Sequence, residues 1–125
     1  MRILVVEDNF FNQQIVKEIL QLSGVNVELA NNGVEALAIL AERSFDAVLM
    51  DIHMPVMDGF EATQHIRKLP EFAELPVLAL TAGVTEEEYE QCKACGMTDF
   101  VSKPIERAKL LSTLAKWVKP RNTGL

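Results

Sequence analysis

Three short runs, residues 3–6, 47–50 and 77–80, are apolar at every position and too short for helices. Strands buried on both faces read this way. Val25, Val27 and Leu29 alternate with polar neighbours, and Phe100 and Val101 follow Gly96 and Asp99, which predicts two further strands at the sheet edges. Between the strands lie segments with helical spacing: Phe11, Ile15, Ile19 and Leu22; then Ala36, Leu37, Leu40 and Ala41; then Leu110, Leu111, Leu114 and Val118. Each set predicts one apolar stripe turned to a core. Gly24 ends the first helix, Gly96 the fourth, and Pro120 bars the fifth from running beyond Lys119.

Strand and helix thus alternate five times. Parallel neighbours need crossover connections, and those are right-handed, so the pattern predicts an α/β doubly wound fold: a five-stranded parallel sheet with helices on both faces. With the three apolar strands inside and the two alternating ones at the edges, the order is 2-1-3-4-5, a (βα)5 flavodoxin-like arrangement. Its topological switch point falls between strands one and three, and ligands bind there, beyond the carboxyl ends of the strands. Strand one runs into Glu7 and Asp8, strand three into Asp51, strand four ends at Thr81, and strand five ends at Ser102 and Lys103.

Composition narrows the possibilities. At 125 residues, with 49% hydrophobic and 24% charged positions, the chain fits one folded domain, taken as residues 1–119, with 120–125 as a tail or linker. The net charge of -6 lacks the positive field that nucleic-acid backbones demand, so direct nucleic-acid binding is excluded and a basic protein partner suits it better. Residues 3–6 are followed at once by Glu7 and Asp8, which leaves no signal-peptide core or membrane span there and no membrane contact by this domain. Cys92 and Cys95 are too few for a disulfide framework, and their CxxC spacing lies near the end of a helix rather than its start, which argues against redox chemistry. A reducing, cytoplasmic setting is expected. His53 and His65 read as loop and helix-surface residues whose side chains do not bind metal.

The strand ends carry the chemistry. Two carboxylates about 4 Å apart repel by roughly 4 kcal/mol at an effective dielectric near 20, so Glu7, Asp8 and Asp51 need an offsetting charge. Oxygen ligands without His or Cys suit a hard cation, and a few carboxylates plus water suit Mg²⁺. Lys103 pairs with Asp51 at rest and serves a phosphoryl oxygen after reaction, while Thr81 adds a hydroxyl donor. A carboxylate beside a divalent cation, a lysine and a hydroxyl is equipped for phosphoryl transfer, with Asp51 as candidate nucleophile.

The stretches VVEDN at 5–9, LMDIHMPVMDGFEA at 49–62, ALTA at 79–82 and SKP at 102–104 resemble the receiver domain of two-component response regulators. Asn9, Asn12 and the wording around Asp51 look most like receivers attached to hybrid sensor histidine kinases. The resemblance covers essentially the whole chain. It implies that Asp51 is the phosphoacceptor, that Glu7, Asp8, Asp51 and the main-chain carbonyl of His53 hold Mg²⁺, that Thr81 is the switch hydroxyl, and that Lys103 is the family's invariant-type lysine. Ala82, beside Thr81 and counted with the phosphoryl-binding residues, is small and is expected to leave that group open to protein donors and water. Phe100 falls at the family's aromatic switch position, three residues before the lysine, and is expected to rotate inward as Thr81 moves.

The implied donor is phosphohistidine on a sensor histidine kinase or a histidine phosphotransfer domain, and a weak homodimer through helices four and five is a further expectation. The implied protein catalyses its own phosphorylation and dephosphorylation without acting as an enzyme on other substrates. Thr85 and Glu88 form a capping box for the fourth helix, whose stripe of Tyr89, Cys92 and Cys95 is thin, so this element shifts at small cost. Two other classes compete. A hydrolase using an aspartyl phosphate usually has a second acid two residues past the nucleophile, where this chain has His53. A pseudo-receiver that binds partners without phosphorylation fits poorly with an acceptor site whose groups are all present.

Overall fold

In the computed structural model, which describes residues 1–83 and 85–118, β1 (Arg2–Val6), β3 (Ala47–Asp51) and β4 (Val77–Thr81) form the sheet centre. Every residue of β3 and β4 is buried. The edges are β2 (Asn26–Ala30) and β5 (Asp99–Ser102), both only partly covered. All four pairings are parallel and the order is β2-β1-β3-β4-β5. Register places Ile3 opposite both Val27 and Ala47, Leu49 opposite Leu78, and Leu80 opposite Val101.

Alternate strand residues feed two cores, as the two-residue period of a strand requires. Ile3, Val5, Leu49, Leu78 and Leu80 pack with Val16 and Leu20 of α1 (Phe10–Leu22) and with Leu110 and Leu114 of α5 (Arg107–Trp117). On the other face Leu4, Val6, Val48, Met50 and Ala79 meet α2 (Gly33–Glu42), α3 (Gly59–Arg67) and α4 (Glu86–Cys95) through Ala36, Leu40, Ala62, Ile66 and Cys92. Side-chain caps fix four helix starts: Asn9, Asn32, Asp58 and Thr85 accept from the N–H groups of Asn12, Glu35, Glu61 and Glu88. Gly24 (φ 81°) and Gly96 (φ 97°) take the left-handed backbone after α1 and α4.

Several details differ from the sequence reading. The buried stripe of α1 is Gln13, Val16 and Leu20, whereas Phe11, Ile15 and Leu22 face solvent and Ile19 is half-buried. Ala41 is exposed on α2 and Tyr89 on α4, so α4 buries only Cys92 and Cys95. Asp58 caps α3 and Gly59 begins it. A single 3-10 turn at Pro70–Phe72 precedes β4. Helix α5 ends at Trp117, and the tail from 119 onward lies outside the described residues.

Candidate functional site

Glu7 continues β1 by one residue, its N–H donating to the Ala30 carbonyl at 3.0 Å, and its side chain is fully buried. Asp51 is the last residue of β3 and only 5% exposed. Asp8 stands beside them on the open side of the crevice. Carboxylate oxygens of these three residues lie within 4.8 Å of one another. Lys103, just after β5, reaches across with Nζ 2.8 Å from Glu7 Oε1 and 3.4 Å from Asp51 Oδ1. Its resting partner is therefore Glu7 first, and the expected pair with Asp51 is the longer contact. The Lys103 N–H donates to the Thr81 carbonyl at 2.6 Å, which ties the two strand ends together.

One ammonium cannot neutralise two buried carboxylates, and the charges redistribute accordingly. Burial pushes the Asp51 carboxyl up to about 7, the neighbouring Glu7 adds to the rise, and Lys103 offsets part of it. Burial would raise Glu7 as well, but hydrogen bonds from Asp51 and Lys103 outweigh it and hold Glu7 below the ordinary carboxylate range. Lys103 is raised; burial would lower it, but the two acids more than compensate. Without metal, Lys103 holds Glu7, and Asp51 keeps its proton to a higher pH than an ordinary aspartate does. This donor set, three carboxylates and no nitrogen or sulfur, fits a hard divalent cation of the magnesium kind.

Thr81 ends β4 and is 2% exposed. Its hydroxyl donates to the Gly83 carbonyl at 3.1 Å and accepts from the Gly83 N–H at 3.2 Å, so at rest it serves the loop leading to α4. Ala82 beside it is exposed. Phe100 on β5 is half-buried and packs edge-on against Tyr89 of α4, ring centroids 6.2 Å apart. A cleft of about 160 Å³ opens there, lined by Tyr89, Cys92, Lys93, Met97 and Phe100 among others. His65 lies on the exposed face of α3.

The loop after Asp51 holds what sequence reading missed. The exposed His53 ring has Nε2 2.8 Å from Glu88 Oε2, a link from the loop to the first turn of α4. Glu88 thus turns one carboxylate oxygen to His53, and the Thr85 hydroxyl accepts from the Glu88 N–H at 3.1 Å as the expected capping box requires. Val56 sits at φ 72° with the Met57 N–H on the Pro55 carbonyl at 2.8 Å, a γ-turn of the rare, strained hand. At Gly59 a Cβ would lie 2.4 Å from the Asp51 carbonyl oxygen, so glycine here lets α3 start against the strand that carries Asp51. No local pattern announces a pair 35 residues apart.

A five-stranded parallel sheet of this order, with acids from two adjacent strand ends and a lysine from the edge, defines a signalling-receiver architecture. The chain belongs to the response regulator receiver domain family, whose model matches residues 3–115. Over 127 residues it is 39% identical to hybrid signal transduction histidine kinase L of Dictyostelium discoideum, covering 97% of this chain and 7% of that protein. The chain therefore spans only a small part of such curated relatives. Among solved structures, it is similar to the receiver domain of sensor histidine kinase PA1611 from Pseudomonas aeruginosa, which has a magnesium ion coordinated in its active-site cleft (38% identity, TM-score 0.87, 93% of this chain and 95% of that one). It also resembles the receiver domain of the Saccharomyces cerevisiae response regulator Ssk1, crystallised with the histidine phosphotransfer protein Ypd1 (28% identity, TM-score 0.87, 94% and 88% coverage).

Proposed function

We propose that this receiver takes a phosphoryl group from phosphohistidine onto Asp51, using its own side chains as the catalytic apparatus. The observation that carries this is the convergence of Glu7, Asp8 and Asp51 within 4.8 Å, with Lys103 bridging two of them. An Asp51 oxygen attacks phosphorus, the P–N bond breaks, and its electron pair returns to the donor imidazole. A bound Mg²⁺, held by Glu7, Asp8, Asp51 and the His53 carbonyl, supplies charge neutralisation on the phosphoryl oxygens. Lys103 leaves the acids to pair with a phosphoryl oxygen, and the Thr81 hydroxyl leaves Gly83 to donate to another. That departure frees the loop into α4, and Phe100 moves inward against the α4–β5 cleft; the face of α4, β5 and α5 is the proposed output surface and the site of any weak homodimer. Water attacking the aspartyl phosphate in the same site reverses the switch, with Ala82 leaving it room.

The donor is a sensor histidine kinase or a histidine phosphotransfer domain, met in the cytoplasm, and its dock is the start of α1. Phe10 (67% exposed) and Phe11 (77% exposed), with Ile15 one turn on, are apolar side chains facing solvent just beyond Glu7 and Asp8. A helical donor whose histidine must reach Asp51 meets this rim.

Phosphate incorporation from labelled acetyl phosphate, with and without Mg²⁺, tests the reading on the wild type and on Asp51→Asn. Labelling that requires both the metal and Asp51 is expected. A folded, metal-binding wild type that takes up no label, or an Asp51→Asn variant labelled to the same extent, overturns it.

A further inference from the structure

Gln13 is an amide on the buried stripe of a helix whose other buried members, Val16 and Leu20, are apolar. Only 5% exposed, it needs partners, because an unpaired buried amide costs on the order of 1–3 kcal/mol. Both of its donors are used: Nε2 lies 2.5 Å from the Glu7 carbonyl oxygen and 2.8 Å from Asn31 Oδ1. Asn31, after β2, is fixed in turn by Glu35 of α2, whose Oε1 accepts from the Asn31 side-chain amide at 3.1 Å and from its backbone N–H at 3.2 Å. A chain of hydrogen bonds therefore runs from Glu35 through Asn31 and Gln13 to one peptide oxygen at the end of β1.

That peptide joins Glu7 to Asp8. Its orientation sets where the Asp8 carboxylate projects and where the Glu7 side chain leaves the strand, and both acids belong to the cluster with Asp51. The peptide lies past the last β1 residue paired to β3, Val6 opposite Met50, so Gln13 supports it from the helix side, beyond that pairing. On the other side of the turn the Asn9 N–H donates to Glu7 Oε2 at 3.3 Å, a longer contact. We infer that Gln13 is a positioning residue for metal binding: its amide, held by Asn31, fixes the Glu7–Asp8 peptide so that both carboxylates converge on Asp51. This rests on the proposed Mg²⁺ site and adds to it a residue that touches neither metal nor phosphoryl group.

The test is Mg²⁺ titration by calorimetry on the wild type, Gln13→Met, Asn31→Ala and Val16→Ala, each with a thermal melt. Methionine keeps the length and apolar stem of Gln13 and removes both donors. Groups that orient metal ligands from behind typically change affinity 10- to 100-fold, so Gln13→Met is expected to weaken Mg²⁺ about tenfold or more, and Asn31→Ala by less, in the same direction. Val16→Ala, one turn along the same buried stripe, is expected to lower the melting temperature and leave Mg²⁺ affinity at the wild-type value. In ¹⁵N spectra the amides of Asp8 and Asn9 should shift in Gln13→Met and not in Val16→Ala. Wild-type Mg²⁺ affinity in Gln13→Met overturns the inference, as does an equal loss in Val16→Ala; should Gln13→Met not fold, wild-type affinity in Asn31→Ala does so. A wild type that binds no Mg²⁺ overturns the functional reading, and this inference with it.

Discussion

The acceptor role proposed for Asp51 requires an ionised carboxylate, yet its own burial and Glu7 hold that carboxyl up to about 7 without metal. A group whose pKa is raised on folding binds more protons folded than unfolded, so its contribution to stability is complete below about 3.8 and is lost as pH rises through about 7. Glu7, lowered from 4.5, acts in the opposite sense, but its window lies below that value. Lys103, raised from 10.5, stays charged and changes nothing between about pH 5 and 8. The metal-free protein is therefore expected to lose stability over that range through Asp51. A divalent cation binds the ionised cluster, so saturating Mg²⁺ should raise the melting temperature more at about pH 8 than at about pH 5.5. Melts at the two pH values with Mg²⁺ and with chelator check this; a larger gain at the acid value would contradict it. Gly59 offers a steric counterpart. Helix propensity favours alanine, but the Cβ would stand 2.4 Å from the Asp51 carbonyl oxygen and 3.0 Å from Ile52 Cα, both backbone atoms that cannot swing aside. Gly59→Ala should therefore destabilise by about 1–3 kcal/mol in denaturant titration, against the sign that propensity gives; a stabilised variant would show that α3 can step back from the strand.

Among the elements, legibility followed the length of chain over which a signal is spread. The central strands announce themselves in consecutive apolar residues, so Glu7, Asp8, Asp51 and Thr81 could be placed at their ends without any side-chain contact being known. Helix α1 was harder, because its apolar residues outnumber those one face can bury: two interleaved sets exist, Phe11, Ile15, Ile19, Leu22 and Val16, Leu20, and the bulkier set looked like the core. The second faces the sheet, with Gln13 in line and its amide satisfied by Glu7 and Asn31. A buried glutamine breaks the binary pattern, and its partners, one of them 18 residues distant, leave no periodic trace. Once α1 is turned the right way, the leftover aromatics become informative. Phe10 and Phe11 contact each other edge-on at 6.3 Å in solvent, where they contribute little to folding. Phe10→Ser and Phe11→Ser should each change stability by no more than about 0.5 kcal/mol. Each should nonetheless slow phosphotransfer from a histidine phosphotransfer protein while leaving labelling by acetyl phosphate unchanged, since the small donor needs no dock. Equal slowing with both donors would place the defect in the site and not on the surface.

Across the whole molecule, rigidity falls from the sheet centre toward α4. Glu7 follows residues 3–6 of β1 and Asp51 ends β3, all of them buried, whereas α4 contributes only Cys92 and Cys95 to the core. Polar ties do much of what packing does elsewhere. Glu88 in its first turn meets His53 at 2.8 Å, and at its far end the Arg67 Nε donates to the Gly96 carbonyl at 2.9 Å while Nη1 of the same group donates to the Phe72 carbonyl at 2.7 Å. The His53 contact is exposed to solvent and of the kind worth about 1 kcal/mol or less, so α4 is held at its N-terminal turn by a weak link beside the loop that carries Asp51. Local opening free energies track buried apolar contact, which sets an order that amide hydrogen exchange can read. The amides of α4 are expected to exchange at least tenfold faster than those of β3 and β4, with the first turn of α4 fastest, and His53→Ala should widen that gap without altering exchange in β3. A chain in which α4 opened only together with the sheet would have a single cooperative unit, and a phosphoryl group at Asp51 would then have no softer element to move.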